Sequence, residues 1–466
     1  MQEGSQGYFE KVEVAAPGYI NFYLSKEYLQ NSIQEINEEK EKFGNSEIGK
    51  GIRINNEFIS ANPTGPLTVG NGRGGFYGDS LSRIFRKAGF EVTNEYYVND
   101  AGGQIEKLGH SVLKDDQAAY SGEYIDELNL KYAKLGDVRE IGKKAASEIL
   151  ENIIKKTAKE KMQISYDVWM SEQFLNDEKF DERAIDILKR KGLTYESEGA
   201  LWLKTTEFGD DKDRVLIKSD GKNAYIAGDC GYMLNKMERG FDRFIISLGA
   251  DHHGYVSRLK AVAKALGFDG DFRIAISQLV RIVKDGKEVR MSKRAGNVVY
   301  MDELISEIGH DVTRFFFLMY SPDTHMNFDL GLAKEQSQKN PVFYVQYAHA
   351  RICSILEKAK DARYEMQDAD SLGLSLLVHE KELSLIKELN KFPELIEEIA
   401  ESYEAHKLPH YAMKLADKFH SFYDACRVID EENVELTKAR IMLVLSTKIV
   451  LAEVLNLIGV SAPEKM

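Results

Sequence analysis

IRINNEFI (52–59), SANPTGPLTVGNGRGG (60–75) and FYGDSLSRIFRKAGF (76–90) lead into EVTNEYYV (91–98), and this stretch decides the fold. The first and last segments are rich in β-branched and aromatic residues and read as strands, with a helix expected over 74–88. A strand, a loop, a helix and a second strand make a β-loop-α-β unit, which implies a parallel sheet. The loop carries Gly65, Gly70, Gly72, Gly74 and Gly75. Glycines there let a ligand approach the backbone without a Cβ in the way. The helix N-terminus beyond them offers unpaired N–H groups to phosphate. Gly70, Gly72 and Gly75 also spell G-x-G-x-x-G, with Glu95 beyond, as in dinucleotide-binding proteins. Pro63 and Pro66 hold that motif away from the strand end, which argues against a dinucleotide. A purely structural Gly-rich turn is the remaining alternative.

Outward from this unit, residues from about 105 to 165 read as helix, with VREIGKKAASEILENIIKKTAKEKM the clearest run, and look like an insertion. RVLIK (214–218) reads as a strand followed by a turn at Ser219-Asp220-Gly221-Lys222. RFIISL (243–248), a helix over 252–266 and FRIAISQLV (272–280) form a second α/β half. After Pro341 nearly every segment reads as amphipathic helix, so an all-α domain is expected there. No fixed-period repeat, low-complexity tract, secretory leader or membrane-spanning apolar run is read from the chain, which implies a cytoplasmic protein.

A second loop follows the second half. From Arg281 to Tyr300 there are six basic and two acidic residues, a local +4. Over the whole chain 62 Lys+Arg stand against 75 Asp+Glu, a net of −13, which excludes a binder resting on bulk positive charge. A basic loop after a strand suits a triphosphate, and a lysine there can follow a leaving pyrophosphate. A solvated charged hairpin is the plainer alternative. The three cysteines, Cys230, Cys353 and Cys426, are far apart in sequence. They argue against a disulfide framework or a Cys-based zinc site, and buried reduced thiols are expected. The pair His252-His253 has no ligand-spaced carboxylate or Cys beside it, so no metal-ligating residue is expected.

The two loops together, a Gly-rich one after the first strand and RMSKR closing the second half, resemble the class I aminoacyl-tRNA synthetases. SANPTGPL, YYVNDAGGQI, SYDVWMSE, ALWLKTTEFGDDKDRVL, GADHHGY, RMSKRAGNVV and NPVFYVQYAHARICSIL narrow this to the bacterial arginyl-tRNA synthetases. The resemblance runs from about residue 12 to the end. It implies a Rossmann-like parallel α/β sheet with a helical insertion over about 105–200, then an all-α anticodon-binding bundle. The implied domains are 1–45, a remnant of an N-terminal tRNA D-loop-binding domain; 46–335, catalytic; and 336–466, anticodon-binding. The family's H-x-G-H signature is here Thr68-Val69-Gly70-Asn71. A Thr hydroxyl and an Asn amide still donate hydrogen bonds, but neither carries a proton charge.

The activity implied is that of an arginine–tRNA ligase. ATP and L-arginine give arginyl-adenylate, and the 2′-hydroxyl of tRNA(Arg) takes the arginyl group. Catalysis is expected from Thr68, Asn71 and Lys293, with Mg2+ as cofactor. ATP is expected at Pro66, Gly70, Gly72, Asp251, Gln278, Met291, Ser292 and Lys293. Family members usually need bound tRNA for the first step. A guanidinium asks for carboxylates and planar acceptors. Glu57 ends the first strand, and Tyr225 and Asp229, four apart, share a face if helical. By resemblance these three hold the guanidinium, while Ser60, Asn62 and His252 hold the α-amino and carboxylate end. A cap or core role is the alternative for each. Tyr344, Tyr347 and Arg351 lie on one helical face, where they could stack on bases or fill the core. With Met466 they are the expected tRNA contacts. The chain is expected to act as a monomer away from membranes. A catalytically silent tRNA-binding paralogue is the rival reading.

Overall fold

The computed structural model describes residues 7–284, 286–288, 299–362, 364 and 373–466. Met291, Ser292 and Lys293 lie outside the described residues. Five strands form the central sheet: β1 (Arg53–Glu57), β2 (Glu91–Val98), β3 (Val168–Ser171), β4 (Arg243–Gly249) and β5 (Asp271–Ser277). Their order is β3-β2-β1-β4-β5, and every pairing is parallel. Chain direction across the sheet reverses between β1 and β4. In open α/β sheets the carboxyl ends at such a switch point form the ligand crevice. Glu57 ends β1 and Gly249 ends β4.

The crossover from β1 to β2 is α1 (Val69–Lys87). It begins five residues earlier than the sequence suggests, so Gly70, Gly72, Gly74 and Gly75 are helical and not loop. Close packing is the physical reason. A Cβ on Gly72 would sit 2.2 Å from Met301 Sδ, one on Gly75 2.7 Å from Ile59 Cδ1, and one on Gly78 2.3 Å from Phe58 Cγ. Glycine every third residue therefore lets α1 lie flush on its neighbours. Gly70 is different: among the described residues, Thr68 Oγ1, at 3.6 Å, is the one atom a Cβ there would meet.

The insertion is helical from Gly103 to Lys161, through Gly103–Leu113, Glu123–Tyr132 and Val138–Ile149 and then wide-turn segments. It is not helical throughout 105–200, because β3 joins the central sheet and Thr194–Ser197, Ala200–Leu203 and Arg214–Ile217 form a small antiparallel sheet. The turn at 219–222 forms, with Lys218 N–H bonded to Lys222 O at 2.9 Å. Helix α2 (Tyr225–Glu238) then leads back to β4.

Among the described residues after 340 the regular elements are all helices, as the patterning indicates. Helices α3 (Pro341–Asp361), α4 (Lys407–Ala425) and α5 (Val434–Ile458) pack on one another. Contrary to the expectation of no such run, α5 is long and apolar enough to cross a membrane by length and composition, but 67% of its most apolar window is buried in the bundle. At the other end, Phe9–Ala15 and Tyr19–Leu24 form an antiparallel hairpin. Cross-strand pairing puts Val12 beside Phe22 and Val14 beside Ile20, and all four are exposed. Cys230 and Cys426 are buried and Cys353 is half-buried; all three are free thiols.

Candidate active site

The chain leaves β1 through Ile59 (φ 69°) and Ser60 (φ 45°). Left-handed backbone is strained for a β-branched residue, and such strain gathers at functional sites. The turn aims Ser60 back at the sheet. Its hydroxyl donates to Glu57 Oε1 at 3.0 Å and accepts from the Tyr97 N–H at 3.0 Å. Glu57 is buried, and its Oε2 accepts from the Tyr232 hydroxyl at 2.8 Å and faces Lys236 Nζ at 2.9 Å. Lys236 also bonds Glu95, which Arg239 grips from the other side. Burial opposes a charge on Glu95, yet Lys236 and Arg239 pull its carboxyl down to about 2. Glu57, expected to hold the guanidinium, has both oxygens engaged in this buried network.

Asp229 on α2 is placed otherwise. Its Oδ2 is buried with no hydrogen-bond partner among the described residues. Burial pushes its carboxyl up to about 6; Arg258 opposes the rise and Glu57 adds to it. Glu172, just after β3, is pushed up to about 7 by burial and by Asp100. Asp100 is fixed by the Ser171 hydroxyl at 2.6 Å and the Gln173 N–H at 2.9 Å. Burial and the carboxylates of Glu172, Asp229, Glu57 and Asp100 together push the Tyr97 phenol up. Four carboxylates around one tyrosine at the carboxyl ends of β1 to β3 make a pocket suited to a cation. Tyr225, first residue of α2, stands 88% exposed one turn from Asp229. Asn62 is exposed in the loop.

Sequence reasoning missed Tyr97, Asp100 and Glu172, although two of the quoted family words contain them. It also missed Tyr232 and Lys236. Their signal was present: 225, 229, 232 and 236 form one stripe at helical spacing.

On the nucleotide side, Thr68 caps α1. Its backbone N–H and its hydroxyl both donate to Asn71 Oδ1, at 2.9 Å each. The Asn71 N–H returns a bond to Thr68 Oγ1 at 3.4 Å. The expectation of two outward donors is corrected here: the Thr68 hydroxyl hydrogen is engaged, which leaves the Asn71 Nδ2 group. Gly72 is corrected too, since Met301 and not open space lies over it. Pro66 lines a cleft of about 290 Å³ with Tyr124, Lys156, Lys161 and Asp302. Asp251 and His252 follow β4 in the turn Ala250–Tyr255, both exposed, with Asp251 Oδ2 3.4 Å from His252 Nε2. Gln278 follows β5, its carbonyl held by buried Arg73 at 2.9 Å.

On the helical bundle, Tyr344, Tyr347 and Arg351 come together, half-buried, on α3. Arg351 lies 4.7 Å over the Tyr347 ring and 5.1 Å over that of Tyr423. It donates to the Tyr347 hydroxyl at 2.8 Å, and its other amino group lies 3.2 Å from His420 Nδ1. His420 and Tyr423, both on α4, were not anticipated. Met466 is exposed.

A parallel sheet with a switch point, a capped crossover helix and a C-terminal helical bundle fit one class, the class I aminoacyl-tRNA synthetases, and the family matches agree. Residues 129–315 match the model of the class I tRNA synthetase (R) catalytic domain, and 345–466 the DALR anticodon binding domain. The chain is 43% identical to the arginine–tRNA ligase of Bacillus pumilus and 44% to that of Carboxydothermus hydrogenoformans, in each case over 98% of this chain and 86% of the relative. The chain belongs to the arginine–tRNA ligase family. A solved chain from Campylobacter jejuni, itself an inferred arginyl-tRNA synthetase, superposes with TM-score 0.85 at 33% identity, covering 95% of this chain and 100% of that one. The Thermus thermophilus arginyl-tRNA synthetase shares the fold at TM-score 0.78 and 21% identity, covering 98% of this chain and 89% of that one.

Proposed function

We propose that this chain activates L-arginine with ATP and transfers it to tRNA(Arg), in the cytoplasm and as a monomer. One observation carries the choice of amino acid: the unpartnered Asp229 Oδ2 within the four-carboxylate pocket. A guanidinium supplies the paired donors that this oxygen lacks. Asp229 is the principal acceptor, with Glu172 beside it and Tyr225 at the rim. Glu57, fixed by Lys236, shapes the pocket and adds negative potential. Ser60, Asn62 and His252 take the α-amino and carboxylate end.

The arginine carboxylate oxygen attacks the ATP α-phosphorus in line. The bond to the bridging oxygen breaks, and pyrophosphate leaves with the electron pair. The 2′-hydroxyl of the tRNA end then attacks the arginyl carbonyl and AMP departs. Positioning and electrostatics suffice for both steps. Asn71 Nδ2 and the N-terminus of α1 face the phosphates, Gly70 admits the nucleotide base, and Asp251 accepts from ribose hydroxyls. Pro66 and Gln278 border this space. Met291, Ser292 and Lys293 are assigned from sequence to the departing phosphates. Among the described residues no cluster of three His, Cys, Asp or Glu side chains could hold a metal ion. Mg2+ commonly binds through one or two carboxylates together with substrate phosphates, so it is proposed to arrive with ATP, and no step here is routed through it. Tyr344, Tyr347, Arg351 and Met466 are the proposed tRNA contacts, and the Arg–Tyr stack supports base stacking.

Arginine-dependent ATP–pyrophosphate exchange, with and without cognate tRNA, tests the reading. Exchange in either condition supports it. No exchange from folded protein that still binds tRNA establishes the silent paralogue instead.

A further inference from the structure

The last turn of α5 has four carbonyls that the helix cannot satisfy from within. Those of Leu455 and Asn456 accept from the Gly459 and Val460 backbone. The rest of the turn is served from the catalytic half. Ser80 Oγ donates to Leu457 O at 2.9 Å, Arg83 donates to Asn456 O at 3.1 Å, and Arg314 Nε donates to Ile458 O. Ser80 and Arg83 belong to α1, and Arg314 to the helix His310–Leu318.

Arg314 is fully buried and locked onto Asp79 of α1, which Arg83 holds at 2.8 Å. Burial opposes the charge on Asp79, yet Arg314 and Arg83 hold its carboxyl below the usual range. Gly459, at φ 81°, passes so close that a Cβ would lie 2.3 Å from Arg314 Cζ. Arg314 NH1 has no partner among the described residues. A buried pair with an orphaned donor is a poor source of net stability, and its better-attested use is to fix one arrangement. The other end of α1 carries Thr68, Gly70 and Asn71.

We propose that Arg314, locked to Asp79, is a positioning residue that sets α1 against the end of α5 and thereby holds the Thr68–Asn71 end of α1 in its working position toward ATP. This rests on the reading that the Thr68–Asn71 end meets ATP. The arginine pocket is built on β1, β2, β3 and α2, so it does not depend on this joint.

The test is steady-state exchange kinetics on full-length Arg314→Lys, Ser80→Ala and Gly459→Ala, below each variant's own melting temperature. Ser80→Ala removes one neutral cap and keeps a folded variant in the set if Arg314→Lys fails to fold. The expected result is a KM for ATP raised about tenfold, or kcat lowered about tenfold, with the KM for arginine unchanged. Lower melting temperatures with both KM values and kcat unchanged would overturn the proposal, leaving a purely structural joint. So would parallel loss of both affinities. Asn71→Ala, run alongside, separates the two ideas. If it leaves the KM for ATP unmoved, the reading of the ATP end fails; if it raises that KM while the joint variants change neither that KM nor kcat, the joint alone fails.

Discussion

Lys236 Nζ lies 2.9 Å from Glu57 Oε2 at the carboxyl end of β1, and neither side chain is appreciably exposed. The parallel register places Glu57 directly beside Glu95, two carboxylates on adjacent strands. Lys236 is the cation that both carboxylates share, with Arg239 a second partner for Glu95. Replacing it with Met leaves two buried carboxylates short of a partner. The expected loss is about 3–5 kcal/mol, read from urea denaturation. A loss within about 1 kcal/mol, typical of an exposed pair, would refute this role.

Asp229→Asn keeps the shape of the pocket and removes a charge. Loss of a charge-assisted bond to a guanidinium is worth about 1.5–3 kcal/mol, or about 10- to 150-fold in affinity. The KM for arginine should rise accordingly while the KM for ATP stays put. Equal changes in both would show that Asp229 acts through the fold.

Asp229 and Glu172 are raised to about 6 and about 7. Each is therefore protonated in the empty folded enzyme at pH values where the unfolded chain has already lost that proton. Their contribution to stability is present at low pH and falls as pH rises through these values. Arginine binding needs them charged, so it runs the other way. The KM for arginine should fall as pH rises from about 5 to 8 and level off above about 8. Glu172→Gln should flatten the upper part of that profile. A profile independent of pH in the native enzyme would contradict the pocket described.

Glycines in α1 separate into two kinds. A Cβ on Gly78 meets the buried Phe58 ring, so Gly78→Ala should cost about 1–3 kcal/mol by overpacking. Gly70→Ala has room, so stability should be kept while the KM for ATP rises. Calorimetry together with exchange kinetics on the two variants checks the division. Destabilisation by Gly70→Ala comparable to that by Gly78→Ala would erase it.

Arg351 sits between the Tyr347 and Tyr423 rings. Stacking of a base on such a platform is worth about 1–3 kcal/mol. Tyr347→Ala should raise the KM for tRNA by at least about fivefold and leave the KM for arginine and ATP untouched. Unchanged tRNA kinetics would return Tyr347 to the core.

The parallel sheet was legible because β4 and β5 are largely apolar and the stretches around β1 and β2 carry β-branched and aromatic residues bounded by turn residues. β3, four residues long within a segment read as insertion, gave too short a run to stand out. The helical bundle was legible from periodicity, whereas the spanning-length apolar character of α5 was overlooked. Within the site, Asp229 could be found from its spacing to Tyr225 on one helical face. The engagement of Glu57 could not, because Lys236 is 179 positions away in sequence and only strand order brings the two together. Likewise the glycines looked like a ligand loop. What decides them is Met301, Ile59 and Phe58, of which Met301 lies far along the chain.

The capping of Leu457 and Ile458 from Ser80 and Arg314 bears on modularity. Helical bundles of this size are often treated as cassettes that recombination can exchange between enzymes. Here the end of α5 is finished by side chains encoded far upstream. A transplanted bundle would arrive with a frayed terminus unless Ser80, Asp79, Arg83 and Arg314 travelled with it. The two halves of this chain are therefore bound to a shared history: a change at the tail must be answered in the middle of α1.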